Sequence, residues 1–124
     1  MASSILEDKS FELAVRIVKL TQHLNSQKNE YVLAKQVLRS GTSIGANIAE
    51  AKGAQSQADF IAKLHISLKE AKEIIYWIKL LHATGYLTQA EYDSLLSDLQ
   101  RLLRILVSSI KKVKSQSNQS GSAS

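Results

Sequence analysis

Apolar residues recur along most of this chain with the three-and-four spacing of a helix, and no stretch shows the alternation of a half-buried strand. Over about residues 8 to 27, Leu13, Ile17, Leu20 and Leu24 fall on one stripe. Phe11, Ala14, Val18 and Thr21 fall on the neighbouring one. Polar residues are confined to a line through Glu12, Arg16, Lys19 and His23, so this helix is expected to be covered on most sides. Asp8 or Ser10 is expected to cap it. Glu12 and Arg16 stand in the favourable i, i+4 order for a pair.

A second helix is predicted over about Asn29 to Lys52. Val37, Ile44 and Ala51 repeat at every seventh position, with Ala34, Gly41 and Ile48 beside them and Tyr31, Leu38 and Gly45 on the far side. Its middle, Ser40 to Ala46, is poor in helix formers, and each interior glycine costs about 1 kcal/mol against alanine. A loop is the competing reading. The apolar register from Val37 to Ile48 is unbroken, which favours a helix whose small residues let a neighbouring backbone come close.

The third helix opens on a capping box, Ser56-Gln57-Ala58-Asp59, with Asp in place of the usual Glu. Its seam is Ile61, Leu64, Leu68, Ala71, Ile75 and Ile78, widened by Phe60, Ile74 and Leu81. Gly85 should end it, at a length of about 40 Å. Thr88-Gln89-Ala90-Glu91 is a second capping box and opens the fourth helix. Tyr92, Leu95, Leu99, Leu102, Leu106, Ile110 and Val113 form that seam, thickened by Leu96 and Leu103. Lys111, Lys112 and Lys114 suit the negative end of its dipole. Beyond them, Ser115 to Ser124 holds small polar residues and is expected to be disordered. The prediction is all-α: an antiparallel up-down-up-down four-helix bundle of long helices. It makes a single domain over residues 1–114, followed by a polar tail over residues 115–124.

Composition strengthens this picture. The chain contains no proline, the residue that most sharply breaks helices. The absence of cysteine excludes disulfides, thiolate metal sites and cysteine nucleophiles. Apolar runs such as Ile74 to Ile78 fall far short of the roughly 20 residues of a membrane span. The opening residues lack the basic start and apolar run of a signal peptide. A soluble, cytoplasmic protein with no membrane partner is expected.

Helix three carries a second line, Ile66, Glu70, Glu73, Trp77 and Leu80, opposite its Leu64/Ala71/Ile78 side. Either a first helix or loop covers this line within the monomer, or it is a self-association surface. In the second reading Trp77 is the anchor, and Glu70 and Glu73 pair with basic residues of a neighbouring subunit.

The chemistry of catalysis is sparse. No Glu-x-x-His pair of a di-iron bundle exists, and His23, His65 and His82 are isolated. Gly41 to Gly45 neither follows a strand nor carries the lysine of a phosphate-binding loop. No metal, cofactor or catalytic residue is expected.

Basic lines are better defined. Sixteen Lys and Arg against eleven Asp and Glu leave a net charge of +5. His65, Lys72 and Lys79 share one line with Lys69 beside them. Arg101, Arg104 and Lys111 lie on the outer side of helix four, and Lys35 and Arg39 on the polar side of helix two. No aromatic residues are read as interleaved among these cations, so nucleic-acid binding is expected to run through the backbone with weak sequence preference.

The segment Gln36 to Ala51, with Asp59 to Leu64, Lys69 to Glu73, Tyr76-Trp77 and the opening Ser10 to Ala14, resembles the bacterial 23S rRNA intervening-sequence protein family. The likeness covers about residues 8 to 112. It implies an up-down-up-down bundle that assembles as a ring-like homopentamer. It also implies kinship with the accessory protein of diversity-generating retroelements, a basic pentamer that works with a reverse transcriptase and nucleic acid. Read from the residues, the hallmark is mainly structural: Gly41, Gly45, Ala46 and Ala49 permit close packing. Ser40 and Asn47 are placed to hydrogen-bond across helices, and Glu50 to pair with Arg39 or a neighbouring subunit's lysine. At five copies, +5 each becomes about +25, which strengthens attraction to polyanions. Three functions are weighed on this basis. They are an oligomeric nucleic-acid-binding bundle, a protein-interaction scaffold with no nucleic-acid role, and an enzyme built around Asn47 and Glu50.

Overall fold

The computed structural model describes residues 2–123, with side chains from 5 to 116. Four helices make up the described chain: α1 (Ala2–Lys28), α2 (Val32–Lys52), α3 (Gln57–Ala83) and α4 (Gln89–Ala123). Each packs on its neighbours in sequence, and α1 closes against α4, giving the expected up-down-up-down bundle. The α2–α3 seam is the most extensive. Ile17, Leu24, Val37, Ile44, Ile74, Ile78, Leu99 and Leu106, drawn from all four helices, belong to the bundle core and are fully buried.

α1 starts earlier than its periodicity suggested, because Leu6 and Ser10 are buried and extend the seam toward the N-terminus. Asp8 and Ser10 are therefore inside the helix and cap nothing; the Ser10 hydroxyl donates to the Glu7 carbonyl at 3.1 Å. Nor is α1 covered on most sides. Phe11 is 70% exposed, Val15 40% and Val18 38%. In a square bundle each helix meets only two neighbours, so an apolar strip wider than that contact faces outward. The expected Glu12–Arg16 pair is replaced by Arg16 to Asp98 of α4 at 2.8 Å and Lys9 to Glu12 at 3.5 Å.

The α1–α2 turn takes the three residues that the pattern assigned to the start of α2. Asn29 adopts φ 53°, a left-handed conformation that asparagine tolerates better than most residues. The Glu30 N–H closes back on the Leu24 carbonyl at 2.9 Å. Glu30 Oε1 then accepts from the Leu33 N–H and, at 3.4 Å, from the Ala34 N–H, so its carboxylate does the work of a cap. Gly41 and Gly45 lie inside α2, so the helix reading of this segment holds over the loop. A Cβ on Gly41 would lie 2.8 Å from Ile17 and 2.9 Å from Ile74, so α1 and α3 close on α2 at this point.

Both capping boxes form. The Ser56 hydroxyl accepts from the Asp59 N–H at 3.0 Å. Asp59 reaches one residue further than a standard box and accepts from the Gln55 N–H at 3.3 Å. In the second box, Thr88 Oγ1 accepts from the Glu91 N–H at 3.1 Å and Glu91 accepts from the Thr88 N–H at 2.8 Å. Gly85, with φ 88°, ends α3. The Tyr86 N–H bonds back to the Leu81 carbonyl and the Gly85 N–H to that of His82, a Schellman closure. Of the described side chains of α4, Ile110 is the last buried one, and Val113 is half-buried. The expected polar tail continues the helical backbone to Ala123, with Ser115 and Gln116 exposed and the side chains from residue 117 on outside those described.

Candidate functional site

Three surfaces carry the polar residues singled out in the sequence. The first is the α2–α3 seam. Arg39 reaches from α2 to Glu70 at 3.3 Å and also pairs with Glu73. The buried Ser40 hydroxyl donates to Glu73 as well, a hydrogen bond across helices at the hallmark's own serine. That hydroxyl, followed by the Arg39 guanidinium, holds the Glu73 carboxyl below its ordinary value. Glu70 and Glu73 thus have a partner within their own chain.

Trp77 and Leu80 are half-buried, Trp77 packing against the core, while Ile66 remains 41% exposed. The line Ile66, Glu70, Glu73, Trp77 and Leu80 is therefore not one open apolar patch. The element that meets Glu70 and Glu73 is α2, a choice that periodicity within α3 cannot reveal. Trp77 Nε1 is buried close to the Glu73 carboxylate, which it also helps to hold below its ordinary value.

The second surface surrounds Asn47 and Glu50. Asn47 Nδ2 donates to the Ser43 carbonyl of its own helix at 2.8 Å, so it does not bond across helices as Ser40 does. Glu50 is exposed and lies 3.9 Å from Lys63, not against Arg39. A cleft between α1 and α2 is lined by Glu7, Asp8, Ser10, Phe11, Ala14, Thr42, Gly45, Ala46 and Ala49. Neither Asn47 nor Glu50 enters that lining.

The third surface is basic. Lys35, Lys69, Lys72, Lys79, Arg101, Arg104 and Lys111 are all exposed, but the fold sorts them. Arg39 is committed to Glu70 and Glu73. Arg101 shares a cleft between α1 and α4 with Lys9, Glu12 and Asp98, so carboxylates share its surface. Lys72, Arg104 and Lys111 instead converge on one groove between α3 and α4, together with Leu68, Leu103, Val107 and Ser108. No carboxylate lines it.

Lys69 and Lys79 extend this cationic face along α3, since spacings of three and seven from Lys72 keep them on its side of the helix. One aromatic residue belongs to the same face. Tyr76 falls between Lys72 and Lys79, is 59% exposed, and meets Trp77 edge-on with ring centroids 5.1 Å apart. The expectation that no aromatic is interleaved with the basic residues is overturned. The signal was present in the sequence: His65, Lys69, Lys72, Tyr76 and Lys79 follow spacings of four, three, four and three. It is easily lost because Tyr76 adjoins Trp77, which faces the core.

Among the described residues no His, Cys, Asp and Glu group is arranged to hold a metal ion. No described helix is long and apolar enough to cross a membrane.

The fold has a close counterpart. The crystal structure of a protein with unknown function from the S23 ribosomal protein family of Bacteroides thetaiotaomicron is 52% identical, with a TM-score of 0.88, over 90% of this chain and 99% of that one. No curated protein matches the chain. The sequence pattern described as 23S rRNA-intervening sequence protein matches residues 3–108, spanning all four helices through most of the packed part of α4. By this match and the shared bundle, the chain belongs to the 23S rRNA-intervening sequence protein family.

Proposed function

We propose that this protein is a non-enzymatic, ring-forming oligomer that binds the backbone of nucleic acid, as an accessory to a nucleic-acid-processing partner such as a reverse transcriptase. The observation that carries the reading is the α3–α4 groove, where Lys72, Arg104 and Lys111 converge without a carboxylate. Cations held on rigid helices at fixed separation suit a phosphate backbone, and each phosphate neutralised releases counterions. Oligomerisation multiplies such grooves. Five copies is the number the family resemblance implies, and the cytoplasm is the compartment proposed.

The test is RNA and DNA binding across a salt series. With three phosphate contacts per groove, the logarithm of affinity should fall against the logarithm of salt with a slope of roughly −2 to −3 per protomer engaged. Lys72→Glu with Arg104→Glu should flatten the slope and weaken binding by at least tenfold at low salt. Arg101→Glu, beside Glu12 and Asp98, should change it far less. Absent binding at low salt, or affinity indifferent to salt, removes the proposal and leaves a protein-interaction scaffold.

A further inference from the structure

We infer that the nucleic acid recognised by the α3–α4 face is single-stranded, with a base stacked on Tyr76 while Lys69, Lys72 and Lys79 hold the flanking phosphates. The inference rests on the nucleic-acid reading above and narrows it. Its first ground is exposure: Tyr76 leaves 59% of its surface open on a helix whose other large aromatics, Phe60 and Trp77, pack against the core. The second is support. Trp77 packs against the core, and its ring meets that of Tyr76 at 73° between planes. One edge of Tyr76 is thereby buttressed, which limits the freedom it would lose when a base settles on it.

The third ground is what surrounds the ring. Lys69, Lys72 and Lys79 are exposed and lie on the same face of α3, with no carboxylate of that helix among them. From Lys69 to Lys79 the helix advances about 15 Å, enough for several phosphates of an extended strand. Glu70 and Glu73, the acids of α3 that follow Lys69 and Lys72 in sequence, are turned to Arg39 on the α2 side. A duplex offers phosphates to such a face but keeps its bases stacked and out of reach of a tyrosine. A single strand offers both, and aromatic stacking with backbone cations is how sequence-tolerant strand binders work.

The experiment compares oligo-uridine and oligo-thymidine strands with RNA and DNA duplexes of equal length, at one salt concentration and then across a series. Tyr76→Ala should weaken strand binding by roughly tenfold, while Tyr76→Phe retains it. Duplex affinity and the salt slope should be unchanged in both variants, since no charge is removed. An abasic strand should bind wild type and Tyr76→Ala alike. Thermal melting should show each variant folded at the assay temperature, with Tyr76→Phe, which keeps the ring on Trp77, matching wild type.

Equal strand binding by wild type and Tyr76→Ala overturns the inference while salt-dependent binding itself survives. The same holds if strand and duplex weaken together, or if Tyr76→Ala changes the oligomer mass instead of base-dependent affinity. Failure of wild type to bind any of these probes removes both readings.

Discussion

At Gly41 the absent side chain is a packing requirement, and at Gly45 it is a much looser one. A Cβ on Gly41 would meet the branched carbons of Ile17 at 2.8 Å, and Ile17 is fully buried on a stiff β-branched rotamer. A Cβ on Gly45 would meet Ser10 Oγ at 3.4 Å, an ordinary contact. Overpacking costs about 1–3 kcal/mol, whereas alanine regains about 1 kcal/mol of helix propensity. Gly41→Ala should therefore unfold at lower denaturant than wild type, and Gly45→Ala at equal or higher denaturant. Chemical denaturation of the two variants, read side by side, checks the order. Ser67 shows the same dependence on close approach, donating from a buried position to the Ile44 carbonyl of α2 at 2.9 Å. Its role was not legible in the sequence, since a serine on an apolar seam gives no hint of which carbonyl it will meet.

Helix boundaries follow local chemistry where caps are standard and depart from it where they are not. Thr88 and Glu91 form the reciprocal box at the start of α4, so that boundary was readable in advance. The Thr88 backbone N–H, and then its hydroxyl, hold the Glu91 carboxyl below its ordinary value. A carboxyl whose folded pKa lies below its unfolded one stabilises the fold above the unfolded value, and that contribution is lost as pH falls through the folded value. Glu91→Gln should thus be less stable than wild type at neutral pH, with the difference shrinking under acid conditions. Thr88→Ala should cost about 1 kcal/mol at neutral pH. Melting curves from pH 7 down to about pH 3 check both, the low end lying below an unperturbed carboxylate. The start of α2 was not readable in this way, because Asn29 in a left-handed conformation and Glu30 acting as a side-chain cap match no standard signature.

At the scale of the whole molecule, α1 carries an exposed apolar strip among the described residues. Phe11, Val15 and Val18 are exposed, and Phe11 lines a cleft with the small residues Gly45, Ala46 and Ala49 of α2; under the oligomer proposed above, this is the face a second copy is expected to bury. Trp77 packs on the core, so its replacement by a charge would threaten the fold itself. Phe11→Glu is the cleaner probe of assembly. Light scattering should show wild type heavier than one chain and Phe11→Glu as a folded monomer, with circular dichroism unchanged. A variant that keeps the wild-type mass would place the contact elsewhere. Weak binding in the monomer that recovers on restoring assembly would tie the summed grooves to affinity.

Spacing and capping residues alone determined the four helices, their order and the two best helix starts, because helical periodicity and hydrogen-bonded caps are local properties of the chain. The cationic face of α3, Tyr76 included, was equally local and could be read from a single helix. Pairings between helices were decided only in three dimensions. Arg39 was as available to Glu50 as to Glu70 and Glu73 on sequence grounds, and packing α2 on α3 selected the latter two. The same packing half-buried Trp77, left Phe11 exposed, and set Arg101 among carboxylates while bringing Lys72 together with Arg104 and Lys111. A periodic stripe records that a face is apolar or charged. Which element meets that face depends on contacts between residues far apart in the chain, and only the folded bundle brings those residues together.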